Sequence, residues 1–112
     1  MIEYTDFLKI KIYSGTVVSA KHLPNAKKPA YILQVDFGPK IGIKKSTSQI
    51  TEIYKKEDLV GKQVFGVINL KPKQVGKVIS QCLILGMYTG ANNSKVVLAK
   101  PERKIQNGLR LW

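Results

Sequence analysis

The apolar residues of this chain recur largely with a period of two, and only one stretch breaks that rhythm. In "KIKIYSGTVVSAKHL", Ile10, Ile12, Val17 and Leu23 stand among polar neighbours, the pattern of a strand with one buried face. Gly15 interrupts the run and predicts a bulge or sharp bend. "PNAKKP" is a loop between two prolines. "AYILQVDFG", ended by Gly38-Pro39, and "KIGIKKS" read as paired strands. "QVFGVINL" and "VISQCLILGMY" read as two more, joined by "KPKQVGK", and "TGANNS" turns the chain into a further strand, "KVVLAK". The exception is "SQITEIYKKEDLVG", where Ile50, Ile53 and Tyr54 sit at helical spacing and Gly61 follows as a stop, predicting one short helix. Thr5 and Asp6 favour a short N-terminal helical turn. "PERKIQNGLRLW" reads as an extended tail with an Asn107-Gly108 turn.

Three strands, a short helix and two strands is the element order of an OB-fold. The expected fold is therefore all-β: a five-stranded Greek-key barrel with its helix between strands 3 and 4, plus an N-terminal helical turn and a C-terminal extra strand and tail. The 112 residues have room for a single domain, with the barrel at about 10–86 and the extension at about 87–112. An SH3-like barrel or a small sandwich fits the same strand count.

Charge is the compositional outlier. Nineteen lysines and arginines face seven acids, a formal net charge of +12, which points to a polyanionic partner. The excess is segregated. Residues 1–20 and 51–62 are balanced, whereas residues 21–50 carry six lysines against Asp36 alone and residues 63–112 carry eight basic residues against Glu102 alone. A merely soluble surface mixes its signs. The lone cysteine, Cys82, excludes an internal disulfide and fits a reducing compartment. Residues 1–12 lack a secretory apolar run and no run approaches the roughly 20 residues of a membrane span, so a soluble cytoplasmic protein without membrane insertion is expected.

No catalytic constellation is present. The one histidine, His22, lies 60 positions from Cys82, and the acids of the predicted helix balance lysines. The expectation is a binding module with no enzyme activity, no metal site and no cofactor. Of nine aromatic residues, Phe7, Tyr31, Phe37 and Phe65 fall in apolar patterns expected in the core, and Tyr13, Tyr88 and Trp112 are the candidates for exposure. Rings are scarce among the lysines, which favours a folded RNA read by its phosphates and shape over base-by-base stacking.

Two segments carry a family resemblance. "GKQVFGVINLKPKQVGKVISQCLIL" resembles the signature of the tRNA-binding OB domains, free-standing or appended to methionyl- and tyrosyl-tRNA synthetases, in which Asn-Leu-Lys-Pro leads to a glycine and then Ser-Gln or Ser-Glu. "KHLPNAKKPAYILQVDFGPKIGIKKSTSQIT" is similar to the free-standing CsaA branch, through the words "KPAY", "DFG" and "GIKKS"; Gln81 departs from the Glu more usual there. The resemblance implies tRNA or other structured RNA as ligand, chaperone-like binding of unfolded or exported preproteins, and a homodimer linked to protein export. A pure preprotein chaperone without an RNA ligand, or a tRNA-binding cofactor of a synthetase, are the alternatives.

Carried over by position, the ligand face comprises Lys44, Lys45, Ser46 and Gln49 with Asn69, Lys71, Lys73, Ser80 and Gln81, and Lys77 joins them because the strand 4–5 loop overhangs the barrel face. Lys21, His22, Lys27 and Lys28 form a flanking loop, either an extension of that footprint or plain solvated chain. Phe37, Ile43, Val75 and Val78 are the candidates for an apolar peptide groove. Phe7, Leu8, Ile10, Ile105, Leu109, Leu111 and Trp112 are too apolar for free ends. They predict a dimer interface or, alternatively, a cover for the barrel's open edges.

Overall fold

The computed structural model describes all residues, 1–112. Its centre is a five-stranded antiparallel sheet in the order β3-β2-β1-β4-β7, curled into a nearly closed OB barrel. The strands are β1 (Ile12–His22), β2 (Tyr31–Asp36), β3 (Ile43–Ser48), β4 (Gln63–Val67) and β7 (Leu83–Ile84). The N-terminal half of β1 pairs with β4 and its C-terminal half with β2, so one long strand serves both halves of the barrel.

The bend in β1 is not at Gly15. The register of the β1–β2 pair slips between Val17 and Ser19, which makes Val18 the bulged residue. Gly15 instead makes room. A Cβ there would lie 2.7 Å from Val35 Cγ1 and 2.8 Å from Phe37 Cδ1, and one at Gly66 would lie 2.5 Å from Phe37 Cζ. The fully buried Phe37 ring therefore rests against two side-chain-free patches of β1 and β4. Val17, Leu33, Val35, Leu59 and Val64 complete the dry interior, where each large side chain contributes about 1.5–3 kcal/mol of burial.

The predicted helix is shorter than its pattern. Only α2 (Lys56–Leu59) is helical; residues 51–53 form a turn, and Ile53 is exposed. Ile50 and Leu59 are the anchors that reach the core, one at each end of the segment. A loop bridging two such anchors satisfies burial without paying the nucleation cost of a longer helix. The N-terminal turn, α1 (Tyr4–Phe7), is present with Glu3 and Asp6 capping one another.

"VISQCLILGMY" is not one strand but parts of three sheets. β6 (Val78–Ser80) folds back on β5 (Lys73–Val75), β7 joins β4, and β8 (Gly86–Thr89) pairs with β9 (Lys95–Leu98). Between β6 and β7 the chain turns to close the barrel against β3. The Gln81 N–H donates to the Lys45 carbonyl (2.8 Å), the Lys45 N–H donates to Gln81 Oε1 (2.9 Å) and the Thr47 N–H donates to Ser80 Oγ (3.1 Å).

The tail runs along β1 opposite β4. The Ser14 N–H donates to the Leu109 carbonyl, the Gly108 N–H donates to the Ser14 carbonyl, and the Leu111 N–H donates to the Ile12 carbonyl. Its backbone thus covers an open edge, while Ile10, Leu109 and Leu111 stay partly exposed and Trp112 mostly so. No helix is long and apolar enough to cross a membrane.

Candidate nucleic-acid interface

The lysine-rich segment between β4 and β6 forms a hairpin. Gly76 at φ +61° and Lys77 make a two-residue turn between the paired Val75 and Val78, a left-handed first position that glycine fills without strain. No residue of β5 or β6 is buried, and the base of the hairpin is tied to β3 through Ser80.

Beneath it opens a groove of about 1460 Å³. Its walls are the β1–β2 loop (23–30), the end of β3 and the following turn (47–52), the hairpin arm (70–76), and the β8–β9 hairpin with its connecting turn. Lys27, Lys28, Lys71 and Lys73 line it against a single acid, Glu52. The protein has two ion pairs, Lys9–Asp6 and Arg103–Glu102, so none of these four lysines is neutralised by a carboxylate. A shallower recess on the other side of the hairpin is lined by Lys45, Lys77, Val78, Ile79 and Gln81.

The residues singled out in the sequence divide accordingly. Gln49, Lys71, Lys73 and Ser80 line the groove; Lys45 and Lys77 line the recess; Gln81 borders both. Ser46 is buried, with its hydroxyl 3.3 Å from that of Ser48. Lys44 lies outside both depressions, half-buried and close enough to Cys82 for its charge to favour the thiolate. Burial outweighs that attraction and pushes the Cys82 thiol up to about 11. Asn69 also lies outside, with its side-chain amide spent on backbone: its Oδ1 accepts from the Lys11 N–H (3.0 Å) and its Nδ2 donates to the Lys9 carbonyl (2.7 Å). Phe37 is buried in the core and unavailable to a ligand, whereas Val75 lines the groove and Ile43 is exposed. Lys27 and Lys28, flanking residues by sequence, line the same groove as Lys71 and Lys73. The pairing of β2 with β1 brings their loop to the groove, a relation no local pattern encodes.

Residues 12–110 match the family model of the tRNA binding domain. The chain belongs to that family. Over 112 residues it is 35% identical to the methionine–tRNA ligase of Nanoarchaeum equitans, a match covering 99% of this chain and 14% of the ligase. The chain thus spans about one seventh of the length of the ligases it resembles. Among solved structures, the chaperone CsaA of Bacillus anthracis superposes with a TM-score of 0.92 at 38% identity, covering 100% of this chain and 99% of that one. The CsaA chaperone protein of Picrophilus torridus superposes with a TM-score of 0.91 at 40% identity, with full coverage of both.

Proposed function

We propose that this protein binds tRNA in the groove beneath the β5–β6 hairpin, with Lys27, Lys28, Lys71 and Lys73 holding phosphates and Lys45 and Lys77 extending the contact over the hairpin's other side. The supporting observation is the four lysines facing one groove with Glu52 as its only acid and no ion pair among them. Their mutual repulsion persists in the free protein and is relieved when phosphates displace condensed counterions. Gln49 and the Gln81 amide are neutral donors within the same footprint. Such a ligand places the protein's work in the cytoplasm. A filter-binding titration of bulk tRNA from 50 to 200 mM salt tests the reading. Affinity should fall with a log–log slope of about −0.7 to −0.9 per phosphate engaged, and Lys71→Glu with Lys73→Glu should lower it at least tenfold for all tRNAs alike. A flat salt response, or normal binding by the double variant, overturns it.

A second reading has its own support. Leu70, Val75 and Leu83 lie in the same groove, Leu70 and Leu83 about half exposed, and the two CsaA proteins it resembles are chaperones. The groove then also accepts extended, partly apolar segments of unfolded or exported preproteins, and suppression of client aggregation at low molar ratio tests this. A homodimer through Phe7, Leu8, Ile10, Ile105, Leu109, Leu111 and Trp112 would bury the apolar side chains left exposed around the tail. Sedimentation as a 12.5 kDa species at micromolar concentration would contradict the dimer.

A further inference from the structure

Tyr88 lies distant from the lysines in sequence, yet the fold sets it on the same groove. It projects from β8 opposite Val96, and both line the groove. The ring is 73% exposed, its hydroxyl has no hydrogen-bond partner, and no other aromatic ring or cation of the protein packs on it. An exposed tyrosine on a floppy strand means little, but this one is held. The Leu98 N–H donates to the Tyr54 hydroxyl (3.0 Å), and the Ala99 N–H donates to the Leu85 carbonyl (3.1 Å), pinning the β8–β9 hairpin to the barrel.

The turn joining β8 to β9 adds a second element. Asn92 and Asn93 hold left-handed backbone angles (φ +58° and +53°), and both line the groove with side-chain amides that make no hydrogen bond within the chain. An asparagine amide offers donor and acceptor together, the pair that a base edge requires.

We infer that the groove takes a single-stranded segment of the RNA, an unpaired loop or end, with one base stacked on Tyr88, the Asn92 and Asn93 amides at its edge, and the flanking phosphates on Lys71 and Lys73. This deepens the tRNA-binding reading and rests on it. A duplex buries its base faces in its own stack and gives the tyrosine nothing to contact, whereas a splayed base supplies a ring and a free edge. A duplex would need only the lysines.

The test is fluorescence anisotropy with labelled single-stranded RNA of about ten nucleotides, a site size within the range for one OB fold, and with a duplex of equal length at the same salt. The single strand should bind more tightly. Tyr88→Ala should weaken it about tenfold without changing the salt slope, leave duplex binding unaltered, and be rescued by Tyr88→Trp. Tyr88 is exposed, so these variants should fold, and a thermal melt checks it. Equal losses on strand and duplex, or no loss, overturn the inference. Lys71→Glu with Lys73→Glu separates the two levels: if that variant loses RNA and Tyr88→Ala does not, the base contact fails and the tRNA-binding reading stands; if the lysine variant also binds normally, both fail. A peptide of alternating Asp and Phe that is weakened by Tyr88→Ala, while the oligonucleotide is not, would assign the groove to protein ligands and end the inference.

Discussion

The pocket around Phe37 and the β5–β6 hairpin come from the same short chain and the same β-strand chemistry, yet they meet opposite requirements. In the pocket, β1 and β4 give up side chains at Gly15 and Gly66 so that one ring fills the space between them, and atomic fit is the stabilising force. In the hairpin no residue is buried, and the lysines on it and beneath it lack carboxylate partners. The pocket is complete as it stands; the hairpin, on the tRNA-binding proposal, is completed by a ligand. A binding site keeps unsatisfied groups at the surface, and the stability that tolerates them comes from elsewhere in the fold.

The contrast can be broken at either end. The largest effect is expected from Gly66→Ala. Its methyl would fall 2.5 Å from Phe37 Cζ on one side and 3.4 Å from Ile84 Cδ1 on the other, so urea denaturation should show a loss of about 3 kcal/mol. A loss below about 1 kcal/mol would mean that the ring moves aside freely and the fit is loose.

Next is the Cys82 thiol, whose folded value of about 11 stands above its ordinary 9.0 because of burial. Raised in the folded state, it contributes stability in full below pH 9 and loses it as pH climbs toward 11, where the unfolded chain is already deprotonated. Relative to Cys82→Ala, the protein should lose on the order of 2 kcal/mol across that window. Parallel pH profiles would place the thiol in contact with water.

Asn69→Ala removes both ends of the tie to Lys9 and Lys11 and should cost about 1–2 kcal/mol in a thermal melt. Single-stranded RNA affinity should change far less than in the lysine variant. A larger change in affinity than in stability would make Asn69 a ligand contact.

The smallest effect sharpens the comparison most. Lys71→Glu with Lys73→Glu should leave stability within about 0.5 kcal/mol of the parent, or raise it slightly, because these groups repel one another and hold nothing together. A clear drop in Tm would give the lysines a structural part.

The barrel was legible in the sequence because period-two patterning and the turn residues agree, and the strands of Ile12–His22 and Tyr31–Asp36 lie where alternation puts them. The split of Val78–Tyr88 into three strands was not legible. A continuous apolar run states that residues are buried or half-buried but not against which neighbour, and here the neighbour changes at Gln81 and again at Leu85. The lysine excess was visible as composition, and Lys71 and Lys73 as part of a connection between strands, although Lys73 in fact opens β5. That Lys27, Lys28 and Tyr88 share their groove depends on strand pairing across some sixty residues, which no local pattern carries. Asn69, Ser80 and Gln81 show the converse: polar residues beside lysines also brace the fold, since each has a side-chain oxygen that accepts from a backbone N–H.

The closure of the barrel has one more consequence. β3 and residues 80–82 meet through a single backbone bond supplemented by side-chain contacts from Ser80, Gln81 and Cys82, in place of a regular ladder. Such a line works as a stitched hem. Gln81 lines both basic depressions, so on the tRNA-binding proposal a ligand on either side would lie across this seam and clasp it shut.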